Sequence, residues 1–323
     1  MSTRPVAIGI IGAGIMGERM LGAILDQPQG AVSVAGIWDP SAAALDRIAA
    51  RFPSVLRHKD SDAVIAASDC VYVASPPASH LGYGRATLQA GKTFFGEKPL
   101  AVDVADARAF VREAGGRGAV NFPFASSFAV ASLGRWIEEG AIGTPTRIAI
   151  EVAFATWPRS WQADAASWLD RREEGGFTRE VVSHFLFLSR RLGGPIAGLT
   201  GRAEFPEPGR SERRIEATFT AGGIPVTLTG SVGQTDKDDH NTWTIEGESG
   251  AVRLRDWSVA ERRGPDGAFE AAPDALPNEK ARPIALRRQL DGVVRLARGE
   301  PHHLATLQEA LDVQEVVEAI LAS

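Results

Sequence analysis

Residues 5–17 read PVAIGIIGAGIMG. A short β-branched run passes directly into glycines at 12, 14 and 17, and a helical stretch follows to about Gln27. The spacing is G-x-G-x-x-G. In that setting, a strand before and a helix after, each glycine has a separate task. Gly12 permits the tight turn, Gly14 lets backbone approach a pyrophosphate, and Gly17 lets the helix pack close to the strand. The helix start offers N–H groups and a partial positive charge to phosphate. A second apolar run, residues 31–38, ends in Asp39, about twenty residues beyond the last glycine. An acid there accepts hydrogen bonds from both ribose hydroxyls of NAD and repels a 2′-phosphate, so NAD is expected in preference to NADP.

The rhythm continues outward from this unit. Ser41 is placed to cap a helix carrying Leu45, Ile48 and Phe52. Residues 70–74 (CVYVA) form a buried-looking strand ending at Ser75-Pro76-Pro77. Residues 80–90 read as helix, and Gly91 can end it. Thr93, Phe94 and Phe95 form the next strand, Asp103 caps a helix over about 104–114, and residues 119–122 close the series. Strands alternating with helices predict a doubly wound parallel sheet. Continuous apolar strands fit burial on both faces. Ligands in such sheets sit at the carboxyl ends of the strands, where Gly12, Asp39, Ser75, Glu97 and Lys98 all fall.

The chain has 323 residues, long for one core, so two domains are expected, 1–122 and 123–323. A net charge of −5 and Arg-Arg pairs scattered among acids argue against a nucleic-acid groove. The single cysteine, Cys70, rules out an internal disulfide framework and a cysteine-based zinc site, and reads as a buried small hydrophobe. No signal peptide or membrane-spanning run is read, and a cytoplasmic location is the expectation. After residue 123 the alternation stops. Residues 145–156, 198–205, 214–220, 225–231, 241–246 and 251–257 read as strands of an antiparallel sheet. Residues 304–321 read as a docked helix.

Three segments together, IIGAGIMG, VASPPASH…AGKTFFGEKPLA and GGFTREVVSHF, resemble the Gfo/Idh/MocA family of nicotinamide-dependent oxidoreductases, whose members act mainly on sugars, inositols and related polyols. The resemblance covers nearly the whole chain. It implies an N-terminal Rossmann domain and a C-terminal α+β domain with a large, open, mostly antiparallel sheet that often mediates oligomerisation. A homodimer or homotetramer through that sheet is therefore expected. It also implies cofactor contacts at Gly12, Gly14, Ile15, Met16, Gly17, Asp39, Ser75, Pro76, His80, Glu97 and Lys98. In the EKP element, Lys98 would sit beside the nicotinamide, often before a cis proline. There it would hydrogen-bond the reacting oxygen where an alkoxide develops. Glu97 would orient it or the backbone.

Residues 178–192 read as one helix with Val181, Phe185, Leu188 and Leu192 as its apolar stripe. Glu180 and His184, four apart, would share a face. Histidine as a residue type titrates near neutral pH, so a histidine at 184 can take a hydroxyl proton as hydride leaves carbon. Glu180 stands where the family has aspartate, one methylene shorter, which bears on the substrate more than on the reaction type. Residues 157–168 hold three tryptophans. That loop either covers the nicotinamide and stacks on a substrate C–H face, with Trp161 and with Arg159 binding a carboxylate or hydroxyl pair, or packs onto the sheet. Asn121 is a further candidate wall of the site. His302 and His303, adjacent and without a carboxylate pattern, read as surface, and no metal is expected. The leading reading is hydride transfer between NAD(H) and a secondary alcohol or ketone of a sugar, inositol or related polyol. Alternatives on the same fold are an imine or enone reductase, or a non-catalytic nucleotide-binding sensor.

Overall fold

A computed structural model describes residues 4–27 and 30–323, with the side chains of 163–167 outside the description. In chain order the strands are β1 (Val6–Ile11), β2 (Val32–Trp38), β3 (Cys70–Val73), β4 (Thr93–Gly96), β5 (Gly118–Val120), β6 (Pro145–Phe154), β7 (Ile196–Glu204), β8 (Arg214–Ala221), β9 (Ile224–Val232), β10 (His240–Gly247), β11 (Gly250–Arg255), β12 (Val259–Arg263), β13 (Phe269–Ala271) and β14 (Ala305–Thr306). The helices are α1 (Ile15–Leu25), α2 (Ala42–Arg51), α3 (Ser61–Ala67), α4 (Pro77–Gln89), α5 (Val104–Ala114), α6 (Phe128–Glu138), α7 (Ala166–Leu169), α8 (Ser183–Gly193), α9 (Asn278–Ala297) and α10 (Leu307–Leu321). The chain forms two compact units: Met1–Ser126 with Pro283–Leu311, and Ser127–Arg282 with Asp312–Ser323. No helix among the described residues is long and apolar enough to cross a membrane.

The first unit is a Rossmann sheet in the order β14-β5-β4-β3-β1-β2, parallel except where β14 runs against β5. Because β1 lies between β2 and β3, the strand order reverses there and opens a crevice at the carboxyl ends. The register aligns those ends. Ile11 pairs with Trp38 and with Val73, and Gly96 pairs with Val73 and Val120. The residues that follow, Gly12, Asp39, Ala74, Glu97 and Asn121, therefore line one edge of the sheet. Strands β3 and β5 are buried at every residue, as their unbroken apolar runs predict. Ser41 and Asp103 cap α2 and α5 through Ala44 N–H and Asp106 N–H. Cys70 is fully buried, and burial pushes its thiol up. The second half of α9 also joins this core, through Leu290, Val293 and Val294.

The second unit is an eight-stranded sheet in the order β13-β12-β11-β10-β6-β9-β8-β7. Every pair is antiparallel except β6 with β9. One face alternates to the interior: Ile148, Ile150, Val152 and Phe154 of β6, with Trp243 and Ile245 of β10, are buried. Helix α8 is buried almost all round because Phe185, Leu186, Phe187 and Leu188 leave it no polar side there. The Trp243 indole N–H donates to Ser189 Oγ at 2.8 Å, which ties α8 to the sheet.

Two expectations are corrected. Residues 178–192 are not one regular α-helix: Thr178–Val182 form a turn of π-helix that continues into α8. His302 and His303 precede β14, outside any helix, and are half-buried rather than surface residues; His303 Nε2 meets Ser126 Oγ at 3.1 Å. No cluster of metal-ligating side chains occurs among the described residues.

Candidate active site

The glycine loop has the shape of a cradle. Gly12 has φ of 106°, and a Cβ there would strike the Ala74 carbonyl. A Cβ on Gly17 would lie far inside contact distance of the Gly12 carbonyl oxygen. Both positions therefore require glycine for packing. Gly14 is different: a Cβ there would meet nothing within 4 Å, and its side is open. Gly14 is also the N-cap of α1 and supplies no side chain to the first turn. The amides of Ile15, Met16 and Gly17 thus face an open edge, which suits an anion. Ile15 is exposed and Met16 half-buried. Asp39 holds this loop. Its Oδ2 accepts from Ala13 N–H at 2.7 Å and its Oδ1 from Ser41 N–H at 2.8 Å.

The next two strand ends are tied together. Pro76 is the N-cap of α4, and Ser79 Oγ donates to Ser75 Oγ at 2.7 Å. His80 is buried. Its Nε2 meets the Ser75 carbonyl at 2.7 Å and its Nδ1 the Pro99 carbonyl at 2.8 Å. Burial lowers its pKa against the pull of those two carbonyls, and the Lys98 charge lowers it further. His80 thus clamps the end of β3 to the EKP segment from below. The Lys98–Pro99 peptide is cis, and Lys98 is half-buried.

Glu97 is held by a buried polar network. Its Oε1 accepts from the Tyr72 hydroxyl and from Asn121 Nδ2, the latter at 2.6 Å. Asn121 Nδ2 also lies 3.2 Å from Tyr72 Oη, and its Oδ1 accepts from Gln289 Nε2 on α9. That last bond fixes which end of the Asn121 amide faces Glu97. Burial, then the Glu97 charge, hold the Tyr72 hydroxyl protonated well above its ordinary range. Asn121 is 1% exposed, and from this buried position it supports the EKP element. Neither Tyr72 nor Gln289 was singled out by the sequence. Tyr72 reads as one more apolar strand position, and Gln289 lies 168 residues from its partner.

In the second unit, Glu180 is half-exposed within the π-turn and His184 is buried in the first turn of α8. Glu212, which sequence reading missed, braces this turn. Its Oε1 accepts from Thr178 N–H at 2.7 Å and Thr178 Oγ1 at 2.6 Å. Gly176, at φ of 100°, makes room for it, since a Cβ there would collide with the Glu212 carboxyl. Burial raises the Glu212 pKa, against the bonds from Thr178 that lower it.

The tryptophan loop divides by residue. Trp157 packs into the core against Phe154 and Phe177, and its indole N–H donates to the Leu169 carbonyl at 3.1 Å. Trp161 is 47% exposed. Arg159 is buried and already engaged: Nη1 donates to Asp239 Oδ2 at 2.8 Å and Nε to Gln162 Oε1 at 3.0 Å. Its guanidinium lies 4.8 Å from the Trp161 ring centre. Asp238 grips the same loop, accepting from Ser160 N–H and Oγ, both at 2.9 Å. The described contacts of Arg159 are those of a loop fastener. The His184 ring stands 5.4 Å from that of Trp257, edge to face, and the Trp257 indole N–H reaches Asp239 Oδ2 at 3.3 Å. Asp239 and Trp257 also escaped sequence reading, since an acid-rich turn and a strand end carry no signal of this role.

Two outcomes are expected. Asn121→Leu strands Gln289 Nε2 and strips a donor from Glu97, so urea unfolding should show a loss of about 2–3 kcal/mol. For Glu212→Gln the sign follows from the raised pKa. The wild-type carboxyl is neutral in both states at acid pH, but above its unfolded pKa folding must hold a proton or bury a charge. Wild-type stability, relative to the Gln variant, should fall as pH rises above about 4.3. Denaturant midpoints of both proteins from pH 4 to pH 8 check this; a difference constant over that range contradicts it.

Comparison with known proteins bears on the family and the fold. Residues 6–123 match the model of an oxidoreductase family with an NAD-binding Rossmann fold, and residues 130–253 match the GFO/IDH/MocA C-terminal domain. An inositol 2-dehydrogenase of Acidothermus cellulolyticus is 35% identical over 148 residues, 44% of this chain and 43% of the relative. A D-apiose dehydrogenase of Paraburkholderia graminis is 30% identical over 179 residues, 52% of this chain and 46% of the relative. The matches thus span less than half the length of those relatives. Among solved structures, an oxidoreductase of Agrobacterium radiobacter, in complex with NAD+, L-tartaric acid and magnesium, superposes with a TM-score of 0.81 at 21% identity, covering 98% of this chain and 96% of that one. An oxidoreductase of Thermotoga maritima gives 0.83 at 17% identity, covering 99% and 97%. The glycine cradle, the clamped EKP element and matched models over both domains together show that the chain belongs to the Gfo/Idh/MocA family of oxidoreductases.

Proposed function

We propose that this protein is an NAD-dependent dehydrogenase acting on a secondary alcohol, or its ketone, of a sugar, inositol or related polyol. The observation that carries the reading is the cradle: the open side of Gly14, the uncapped start of α1, and Asp39 gripping the loop between them. A dinucleotide fits these residues. The pyrophosphate would take the α1 amides. Each Asp39 oxygen keeps a second lone pair for a ribose hydroxyl, and the carboxylate would repel a 2′-phosphate, which favours NAD over NADP. The relatives' names, an inositol 2-dehydrogenase and a D-apiose dehydrogenase, support the polyol class.

Bound nicotinamide supplies the acceptor or donor of the hydride. In the oxidising direction the alcohol carbon loses hydride, its hydroxyl loses a proton, and a ketone remains. His184 takes that proton. Lys98 donates a hydrogen bond to the same oxygen and offsets the negative charge that grows on it. Glu180, half-exposed on the π-turn, accepts from a neighbouring substrate hydroxyl. Copies of the chain associate through the exposed face of the second sheet, where Thr218, Thr227 and Thr229 alternate with buried positions.

NAD+ reduction followed at 340 nm across a panel of inositols, pentoses and hexoses tests the reading. At least one polyol should be turned over. His184→Asn should lower kcat on it by about 10²–10⁴-fold, and Lys98→Met by about 10²–10³-fold. Unchanged turnover in Lys98→Met would overturn the proposed chemistry.

A further inference from the structure

Asp256 and Trp257 join β11 to β12 with φ of 45° and 74°. They are the two non-glycine residues with positive φ among the described residues. Aspartate tolerates this region, but a bulky side chain there is an outlier, and such strain persists only where the surroundings over-determine it. Here they do. Asp256 N–H donates to the Asn241 carbonyl at 2.9 Å, and Asp256 Oδ1 accepts from Asn241 N–H at 3.2 Å and faces His240 Nδ1 at 3.0 Å. On the other side, Ser258 Oγ donates to the Leu276 carbonyl at 2.8 Å. A glycine at 257 would relieve the strain, yet the chain carries its bulkiest residue type. The strained turn delivers an indole, and the indole is held. Asp239 takes its N–H, Phe185 packs on it with ring centres 5.5 Å apart, and the Arg159 guanidinium lies 6.0 Å from it. The His184 ring stands against it edge to face, at 76°.

We propose that Trp257 is a positioning residue: the strained turn exists to hold its indole against His184 and so fix the orientation of the imidazole. The inference rests on the reading of His184 as the proton acceptor. Asp239 belongs to the same device. One carboxylate oxygen receives both Arg159, which secures the tryptophan loop, and the Trp257 indole N–H. The loop after β6 and the imidazole on α8 are thereby set against a common support.

The test uses full-length protein labelled with ¹⁵N-histidine, which carries six histidines. His184→Asn assigns the His184 imidazole signals. In wild type these should form one sharp set. In Trp257→Ala they should shift and broaden or double while His58, His80, His302 and His303, which lie away from this turn, keep their positions, and Trp257→Phe should restore a single set. Trp257→Gly relieves the turn that Trp257→Ala leaves strained, so it should melt above the Ala variant and still show the disordered His184 signals. That separates positioning from mere folding. On the polyol that wild type turns over, Trp257→Ala should lower kcat about tenfold with little change in KM. In a His184→Asn background it should lower kcat no further. Unchanged His184 signals in Trp257→Ala overturn the proposal. So does a raised KM at constant kcat, which marks a substrate wall, or full additivity with His184→Asn. If no polyol is turned over, the functional reading fails, and the imidazole signals alone decide the role of Trp257.

Discussion

The approach of α1 to the end of β1 is the constraint on which the candidate site depends. Gly17 sits so close to the Gly12 carbonyl that no side chain fits between them, and Gly12 itself lies against the end of β3. This contact sets where the helix begins. It leaves the first amides of α1 facing the crevice where the strand order reverses, with Asp39 fastened across the gap. The parallel register then does the rest for the first unit. Once β1, β3, β4 and β5 end level, the residues after them share one edge.

What holds that edge is polar and buried. Glu97, Tyr72, Asn121 and Gln289 form a chain of hydrogen bonds beneath the EKP element, and His80 ties the same element to Ser75. The second unit repeats the strategy with other residues: Glu212 braces the π-turn, and Asp239 joins Arg159 to Trp257. Groups of this kind are costly to bury and costlier to leave without partners. They add geometric definition more than net stability to the strand ends and the turn that they hold.

The parts of this arrangement legible in the sequence were the local ones. The glycine loop, Asp39, the capping residues Ser41 and Asp103, and the change from alternating elements to strands all follow from short-range pattern. What escaped depends on distant partners or on broken patterns. Asn121 carries no sign that it lies beneath Glu97, because its partners are 24, 49 and 168 residues away. Helix α9 contains Pro283 and a largely polar first half, so its return to the first unit was hidden. A spacing of four at Glu180 and His184 presupposes α-helix, and the π-turn is invisible to that rule. The segment 251–257 reads as strand to its end, yet the strand stops at Arg255 and Trp257 turns left-handed with no glycine or asparagine to announce it.

Cofactor choice at Asp39 joins the loop geometry to the proposed reaction, and it can be measured without knowing the substrate. Purified protein is titrated with NADH and, separately, with NADPH, following energy transfer from its tryptophans to the reduced nicotinamide. Saturable NADH binding, tighter than NADPH by about tenfold or more, is the expected result, since a carboxylate meets a phosphate in one case and ribose hydroxyls in the other. Binding of neither nucleotide, confirmed by calorimetry, would contradict the reading of the cradle and the dehydrogenase with it.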